Sequence, residues 1–420
     1  MTDDDARAKW IARRAANPKL SSVADSGRAF YRPDELLLGR EAEERFGPEL
    51  ADRYRGGCYA PGRFERHWRD RVEPRTDLNA RLGAVGLQLW VLEPDSEIDL
   101  PGIVDNFRRD DSAGRDLALN HVLTGEAMGK YQGGPGTSPA SAPALTLAEP
   151  RSGESPDLAV LDTGVPQGWQ QMHPALLNLH PDSDDTDVLD QDGDQRLDPQ
   201  AGHGLFIAGI ALRVAPGLTI DPGRVLDPTG VGDDATLGPE LAEVMAPVVN
   251  LSLGGYTEDD AGPPALLAAI ARLIERGTAV VAAAGNAGED PEFQGRPFWP
   301  AALDDVIAVG AYDSTTSAAT PPLASFSNSG PWVNLYAPGV NVQSTYLRAE
   351  MADEHGARFD GWATWSGTSF AAPQIAAEIA SRLHDGSGRS AWQIGQDLLA
   401  QPWPTATYGK IYSPPLLLTL

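Results

Sequence analysis

The sequence predicts an α/β domain with a mostly parallel central sheet, preceded by an accessory region. Three observations carry this. First, DLAVLD (157–162), VVNLSL (248–253), AVVAAAG (279–285) and VIAVGAY (306–312) are short, almost wholly apolar runs, as expected of parallel strands buried on both faces. Second, helical patterns at 203–212, 264–276 and 369–383 lie between or after them, and strands alternating with helices imply a parallel sheet. Third, residues 132–156, QGGPGTSPASAPALTLAEPRSGESP, are rich in Gly, Pro, Ser and Ala. Such a composition buries no core and marks a linker, so 157–420 forms the main domain.

The accessory region divides at residue 75. Within 1–75, a weak amphipathic helix covers 10–20 and stops near Pro18. A better one covers 33–47, where Pro33-Asp34-Glu35 supplies an acidic first turn and Gly47 the end. The arginine-rich stretch 53–75 interleaves acids and reads as a solvated face. Residues 76–131 read as a small α+β unit. A strand at 84–92 alternates apolar and polar residues, and a helix over 97–109 has Asp99 as its cap and Pro101 near its start. A second strand follows at 119–125.

Charge and cysteine content narrow the partners. The 420 residues carry a net charge of −26, which argues against nucleic acid or an anionic membrane as the main partner. Residues 1–75 hold 16 Lys+Arg against 14 Asp+Glu, so the acidity belongs to the later part of the chain. One cysteine, Cys58, excludes an intramolecular disulfide framework and a Cys-cluster zinc site. No run of about 18 apolar residues exists to span a bilayer. The start, MTDDDARAKWIARRAANPKL, has no apolar core of the signal-peptide kind. A cytoplasmic location is the expectation.

Four separated segments carry the chemistry. Asp162 follows an apolar strand and precedes Gly164, at a strand end where open α/β sheets bind ligands. His203 opens a helix between Gly202 and Gly204; an imidazole there can shuttle protons near neutral pH. Ser369, in Ser366-Gly-Thr-Ser369-Phe-Ala-Ala-Pro373, opens an Ala-rich helix, whose N-terminus favours developing negative charge. Asn286, in Ala282-Ala-Ala-Gly285-Asn286, follows a buried strand and can donate to a tetrahedral oxyanion. Each segment alone has a bland reading as a cap or turn. Together they supply an orienting carboxylate, a general base, a nucleophile and an oxyanion donor.

These segments resemble the subtilisin-like serine proteases, the subtilase family, in residue identity and in order. Asn250-Leu-Ser-Leu-Gly-Gly255, Val306-Ile-Ala-Val-Gly310, Ala324-Ser-Phe-Ser-Asn-Ser-Gly330 and Ala337-Pro-Gly-Val340 match as well. The resemblance covers about 157–385. It implies a subtilisin-like doubly wound fold and a serine endopeptidase, with Ser369 as nucleophile, His203 as base, Asp162 orienting His203, and Asn286 with the Ser369 N–H holding the oxyanion. No cofactor is required for that chemistry.

By the same resemblance, Ser252, Leu253 and Gly254 pair with an extended peptide or protein substrate. Ala283, Ala284 and Gly285 form one wall of the pocket for the residue before the cut. Their small size suggests an open, apolar pocket. Two positions depart from the family pattern, Leu205 where Thr is usual and Gln374 where His is usual; neither belongs to the triad. The strand–helix–strand unit resembles a family prodomain in placement, so 76–131 is expected to be an intramolecular N-terminal module; the other reading makes 1–131 a partner-recognition module. The alternatives are a dedicated maturation protease for one partner peptide and a catalytically silent peptide-binding scaffold.

Residues 182–198, DSDDTDVLDQDGDQRLD, hold eight Asp and one Arg. Asp190, Asp192 and Asp194 alternate around Gly193 and make a candidate structural calcium loop, although the spacing is not that of an EF-hand. His173, in a His-Pro pair, reads as structural.

Overall fold

The structure, a computed structural model, describes residues 11–12, 14, 23–59, 77–93, 98–125, 138–145, 147, 155–176 and 178–413. Most of the 10–20 helix, residues 60–76 of the arginine-rich stretch, most of the linker and the tail from 414 lie outside the described residues.

In chain order, the elements used below begin with β1 (Phe30–Gly39), α1 (Arg40–Tyr54), β2 (Gly57–Cys58), α2 (Leu78–Ala84), β3 (Leu87–Val91), α3 (Leu100–Asp110) and β4 (Leu117–Thr124). There follow β5 (Ala140–Ser141), β6 (Leu158–Asp162), α4 (His203–Val214), β7 (Ile220–Arg224), β8 (Val231–Asp233), α5 (Asp234–Glu243), β9 (Val248–Leu251) and α6 (Pro264–Glu275). The remaining ones used below are β10 (Ala279–Ala283), β11 (Ile307–Tyr312), β12 (Leu335–Pro338), β13 (Val342–Arg348), β14 (Asp360–Trp365) and α7 (Ala372–Ser381).

The chain divides into two units. The first comprises residues 1–123, 232–243 and 255–272; the second comprises 124–231, 244–254 and 273–420.

In the first unit the sheet order is β8-β4-β1-β3-β2. The strand–helix–strand pattern is present as β3–α3–β4, and the Asp99 carboxylate caps α3 by accepting the Gly102 N–H at 3.1 Å. Two of its sheet partners, β1 and β2, come from before residue 76. The helix expected over 33–47 is replaced by a strand, β1, followed by α1. The reason is burial on both sides. Leu36 and Leu38 face a core with Phe46, Leu50, Leu100 and Val104, while Leu37 faces Leu82, Leu89, Ala235 and Ala265. A period of two over three leucines fits a central strand and no helix face. Asp34 and Glu35 are buried strand residues, not an exposed first turn.

The second of those cores joins the N-terminal sheet to α5 and α6. Polar contacts reinforce it. Arg81 donates to Glu240 at 2.7 Å and to Glu243 at 2.7 Å. Arg32, buried, pairs with buried Asp233 at 2.7 Å. Asn120 donates to Glu35 at 2.6 Å and accepts from the Ala235 N–H at 3.0 Å. Asp234 caps α6, accepting from Ala265 and Leu266 at 3.0 and 2.8 Å; burial raises its pKa to about 7.

The second unit has the expected α/β fold, although its bounds are not those of a continuous 157–420 stretch, since 232–243 and 255–272 group with the first unit. Its central sheet has the order β7-β6-β9-β10-β11-β12, and every pair whose register is known is parallel. The four apolar runs are its β6, β9, β10 and β11, and all their residues are buried. Helices α4 and α7 are almost wholly buried and contribute Leu205, Phe206, Ile207, Ile375 and Ile379 to one continuous core. β13 and β14 form a separate antiparallel pair joined by β5. Among the described residues no helix is long and apolar enough to cross a membrane.

Candidate active site

The C-terminal ends of β6, β9 and β10 lie side by side, since Leu158–Val160 pair with Val248–Asn250 and Leu251 pairs with Ala282. This is the edge at which a parallel sheet presents side chains to a ligand. Asp162 ends β6. Its Oδ1 accepts the Thr163 N–H at 2.8 Å and stands 2.7 Å from His203 Nδ1. A carboxylate only accepts, so Nδ1 carries the proton and Nε2 is the basic nitrogen. Nε2 is buried without a hydrogen-bond partner. Trp365 and Phe370 flank the imidazole, with centroids 5.3 and 5.4 Å away.

Glycines let the His203 helix approach. A β-carbon on Gly204 would overlap the Gly164 carbonyl, and the Gly204 N–H instead reaches Thr163 Oγ1 at 3.1 Å. Asp187 ties the two motifs together. Its Oδ2 accepts from the Gly202 N–H at 2.6 Å and from Thr163 Oγ1 at 3.3 Å. Burial raises its pKa to about 7. Sequence reasoning missed Asp187, because one Asp among eight in an acidic run carries no distinguishing local signal.

Ser369 lies in a 3-10 turn, Thr368–Phe370, just before α7, rather than on the first turn of the helix itself. Its Oγ donates to the Ser252 carbonyl at 3.0 Å, and Ser252 Oγ donates to the Ser369 carbonyl at 2.8 Å. Asn250, also buried, donates to Ser252 Oγ at 2.9 Å. The Ser369 turn is thus fastened to the strand that precedes Gly254. Asn286 is fastened to the same turn: the Thr368 N–H donates to its Oδ1 at 2.9 Å. Because an N–H can only donate, this bond fixes which end of the amide is oxygen and leaves the NH2 end as the donor.

The residues expected to bind substrate also converge. Ser252, Leu253 and Gly254 are buried at the end of β9, and Ala283, Ala284 and Gly285 at the end of β10. The Gly285 N–H reaches Thr368 Oγ1 at 3.0 Å, and Asn328 Nδ2 holds the Ala284 carbonyl at 2.8 Å. Gly254 pairs with Thr124: the Thr124 N–H donates to the Gly254 carbonyl at 2.8 Å, and the Gly254 N–H to the Thr124 carbonyl at 3.0 Å. The next residue, Gly125, donates to the Gly230 carbonyl at 2.9 Å. Asp162, His203 and Ser369 are at most 1% exposed.

The departures from the family pattern are absorbed by packing. Leu205 is fully buried in the core. Gln374 Nε2 holds the Pro338 and Phe370 carbonyls at 2.7 and 2.8 Å. His173 is structural in its contacts, its Nε2 lying 2.8 Å from the Tyr346 carbonyl. Away from this centre, Asp190, Asp192 and Asp194 each offer a carboxylate oxygen within 4.8 Å of the others.

Known proteins are similar to this chain in sequence. Thermophilic serine proteinase of Bacillus sp. (strain AK1) is 33% identical over 277 residues, which is 61% of this chain and 60% of that protein's length. Thermitase of Thermoactinomyces vulgaris is 33% identical over 58% of this chain and 79% of its own. Major intracellular serine protease of Bacillus subtilis (strain 168) is 30% identical over 54% and 68%. A solved cold adapted subtilisin-like serine proteinase superposes with a TM-score of 0.46 at 25% identity, covering 60% of this chain and 86% of its own. Residues 153–391, more than half the chain, match the family described as the subtilase family. With that match added to the parallel sheet and the four converging motifs, the chain belongs to the subtilase family.

Proposed function

We propose that the chain is a serine endopeptidase acting on extended peptide or protein substrates. The carrying observation is the Asp162–His203 pair at 2.7 Å, which leaves Nε2 as an unpartnered base. Ser369 rotates its Oγ from the Ser252 carbonyl toward Nε2, loses its proton there and attacks the scissile carbonyl. The imidazolium, steadied by Asp162, then protonates the leaving amine. The amide NH2 of Asn286 meets the developing oxyanion. Main-chain bonds from residues 252–254 hold the substrate in strand form. The test is labelling by a fluorophosphonate probe. Incorporation at Ser369, lost in Ser369→Ala, supports the reading; a chain that never labels is a silent scaffold.

Two further assignments belong to this reading. Residues 1–123 act as an intramolecular module, and Thr124 and Gly125, which follow them, occupy the substrate strand before use. The mixed core with α5 and α6 and the Thr124–Gly254 pairing support it. Asp190, Asp192 and Asp194 hold a structural calcium ion. Three carboxylates form an all-oxygen set suited to a hard cation, and backbone N–H groups of Gly193 and Asp194 already fold round Asp190 Oδ1 at 2.7 and 3.1 Å. Calcium should raise Tm in the wild type and leave the Asp192→Asn/Asp194→Asn double variant unchanged; equal shifts in both would remove the site.

A further inference from the structure

The small residues at 283–285 and at Gly254 suggest an open pocket, but a ring already stands between them. Residues 252–254 and 283–285 follow adjacent parallel strands, whose pairing runs to Leu251 and Ala282, and are taken as the two walls of the expected pocket. The Thr368–Ser369 turn closes one end, through Gly285 N–H to Thr368 Oγ1 and the reciprocal Ser252–Ser369 bonds.

Phe298, 3% exposed, lies between these walls. A β-carbon on Gly285 would stand 2.9 Å from both Cγ and Cδ1 of the ring. One on Gly254 would overlap Cε1 and stand 2.8 Å from Cζ. One edge of the ring therefore runs from the Gly285 wall to the Gly254 wall. The glycines accommodate this ring, and real β-carbons essentially never sit so close. Gly285 also has φ +93°, a conformation that favours glycine.

We infer that Phe298 closes the floor of the pocket for the residue before the cut, so that this chain cleaves after small residues such as Gly, Ala and Ser. Large aromatic, aliphatic and long basic side chains are refused by overlap with the ring. This rests on the endopeptidase reading and adds its substrate class. A packed ring cannot yield without repacking its neighbours. One extra or missing methylene in a hydrophobic pocket discriminates by roughly 10- to 200-fold, and a whole phenyl group exceeds that difference in size.

The test uses the full chain and a peptide series differing only in the residue before the cut: Ala, Ser, Leu, Phe and Lys. The wild type should show kcat/KM for Ala at least about 100-fold above that for Phe. Phe298→Ala and Phe298→Gly should shrink that ratio at least about tenfold by raising the Phe value. Wild-type cleavage after Phe as fast as after Ala overturns the inference, and needs no variant to fold. An unchanged ratio in both folded variants overturns it too. Fluorophosphonate labelling of Ser369, run in parallel, separates the two levels. Labelling with a flat preference removes only the pocket assignment, whereas absence of labelling removes the endopeptidase reading and this inference with it.

Discussion

Thr124 and Gly254 exchange both main-chain hydrogen bonds, at 2.8 and 3.0 Å, in an antiparallel bridge. Gly254 is one of the three residues that the family resemblance assigns to an extended substrate. With Gly125 bonded to Gly230 on the other side, the chain's own segment is held on two flanks, as an inserted strand is. The Gly254 groups proposed to bind a substrate are therefore engaged internally.

Thr124→Pro removes one of these donors, since proline has no N–H. A typical hydrogen bond contributes about 1 kcal/mol net. Peptidase activity of the full-length variant should rise roughly fivefold over wild type, read from initial rates at equal protein concentration. A variant that stays folded and gains nothing would separate the pairing from inhibition.

Asn286 offers a sharper test of the chemistry. Its Oδ1 is committed to the Thr368 N–H at 2.9 Å, so its NH2 is the only end available to an oxyanion. Asn286→Leu should lower kcat about 100- to 1000-fold with little change in KM, the usual weight of one oxyanion donor. Asn286→Asp keeps the acceptor for Thr368 but places a carboxylate oxygen at the oxyanion, and should be at least as impaired. Loss confined to KM would assign the residue to substrate binding instead.

Acid should loosen the first unit through His121. This imidazole is buried, its Nε2 accepts the Glu258 N–H at 3.2 Å, and its Nδ1 has no partner. Burial lowers its pKa to about 4, with nearby Arg108 adding to the effect and Asp259 opposing it. Tyr31 pairs with it in the adjacent strand. A folded pKa below the unfolded value of about 6.5 means stability is complete above that value and is lost as pH falls toward 4, on the order of 3 kcal/mol. Asp234 in the same unit acts the other way: its pKa of about 7 makes stability increase as pH falls through 7. The clean readout is therefore a difference. His121→Gln keeps an acceptor and cannot be protonated in this range. Hydrogen exchange of the β4 amides should show the variant gaining protection relative to wild type between pH 7 and 4.5. Parallel pH curves for the two would remove His121 as the cause.

Much of the second unit was legible because its signals are local. β6, β9, β10 and β11 are apolar at consecutive positions; in the first unit, Asp99 likewise announces its helix three residues ahead of the N–H it accepts. β1 was not legible. Pro33-Asp34-Glu35 imitates an acidic helix start, and the partners of Arg32 and Glu35 are Asp233 and Asn120, roughly 200 and 85 residues away. No window of sequence contains both ends of such a contact. The site shows the same division. Asp162, His203, Asn286 and Ser369 stand in motifs that carry their meaning with them. Asp187 and Phe298 do not, for their roles come from what lies across space: the Gly202 and Thr163 groups for one, two glycines for the other.

The helices α5 and α6 sit inside the family-matched region, yet their alanines 235, 242, 265 and 268 pack into the core built by Leu37, Leu82 and Leu89. For anyone preparing this protein, that face decides where the gene can be cut. A fragment starting at residue 153 would keep the whole family match and expose a bare alanine stripe to water, together with the Glu240–Glu243 pair stripped of Arg81. Exposed apolar surface of that kind promotes association between copies. Leu37, Tyr59 and residues 78–91 thus serve as the covering half of a two-part core, and a preparation that keeps them keeps that alanine face covered.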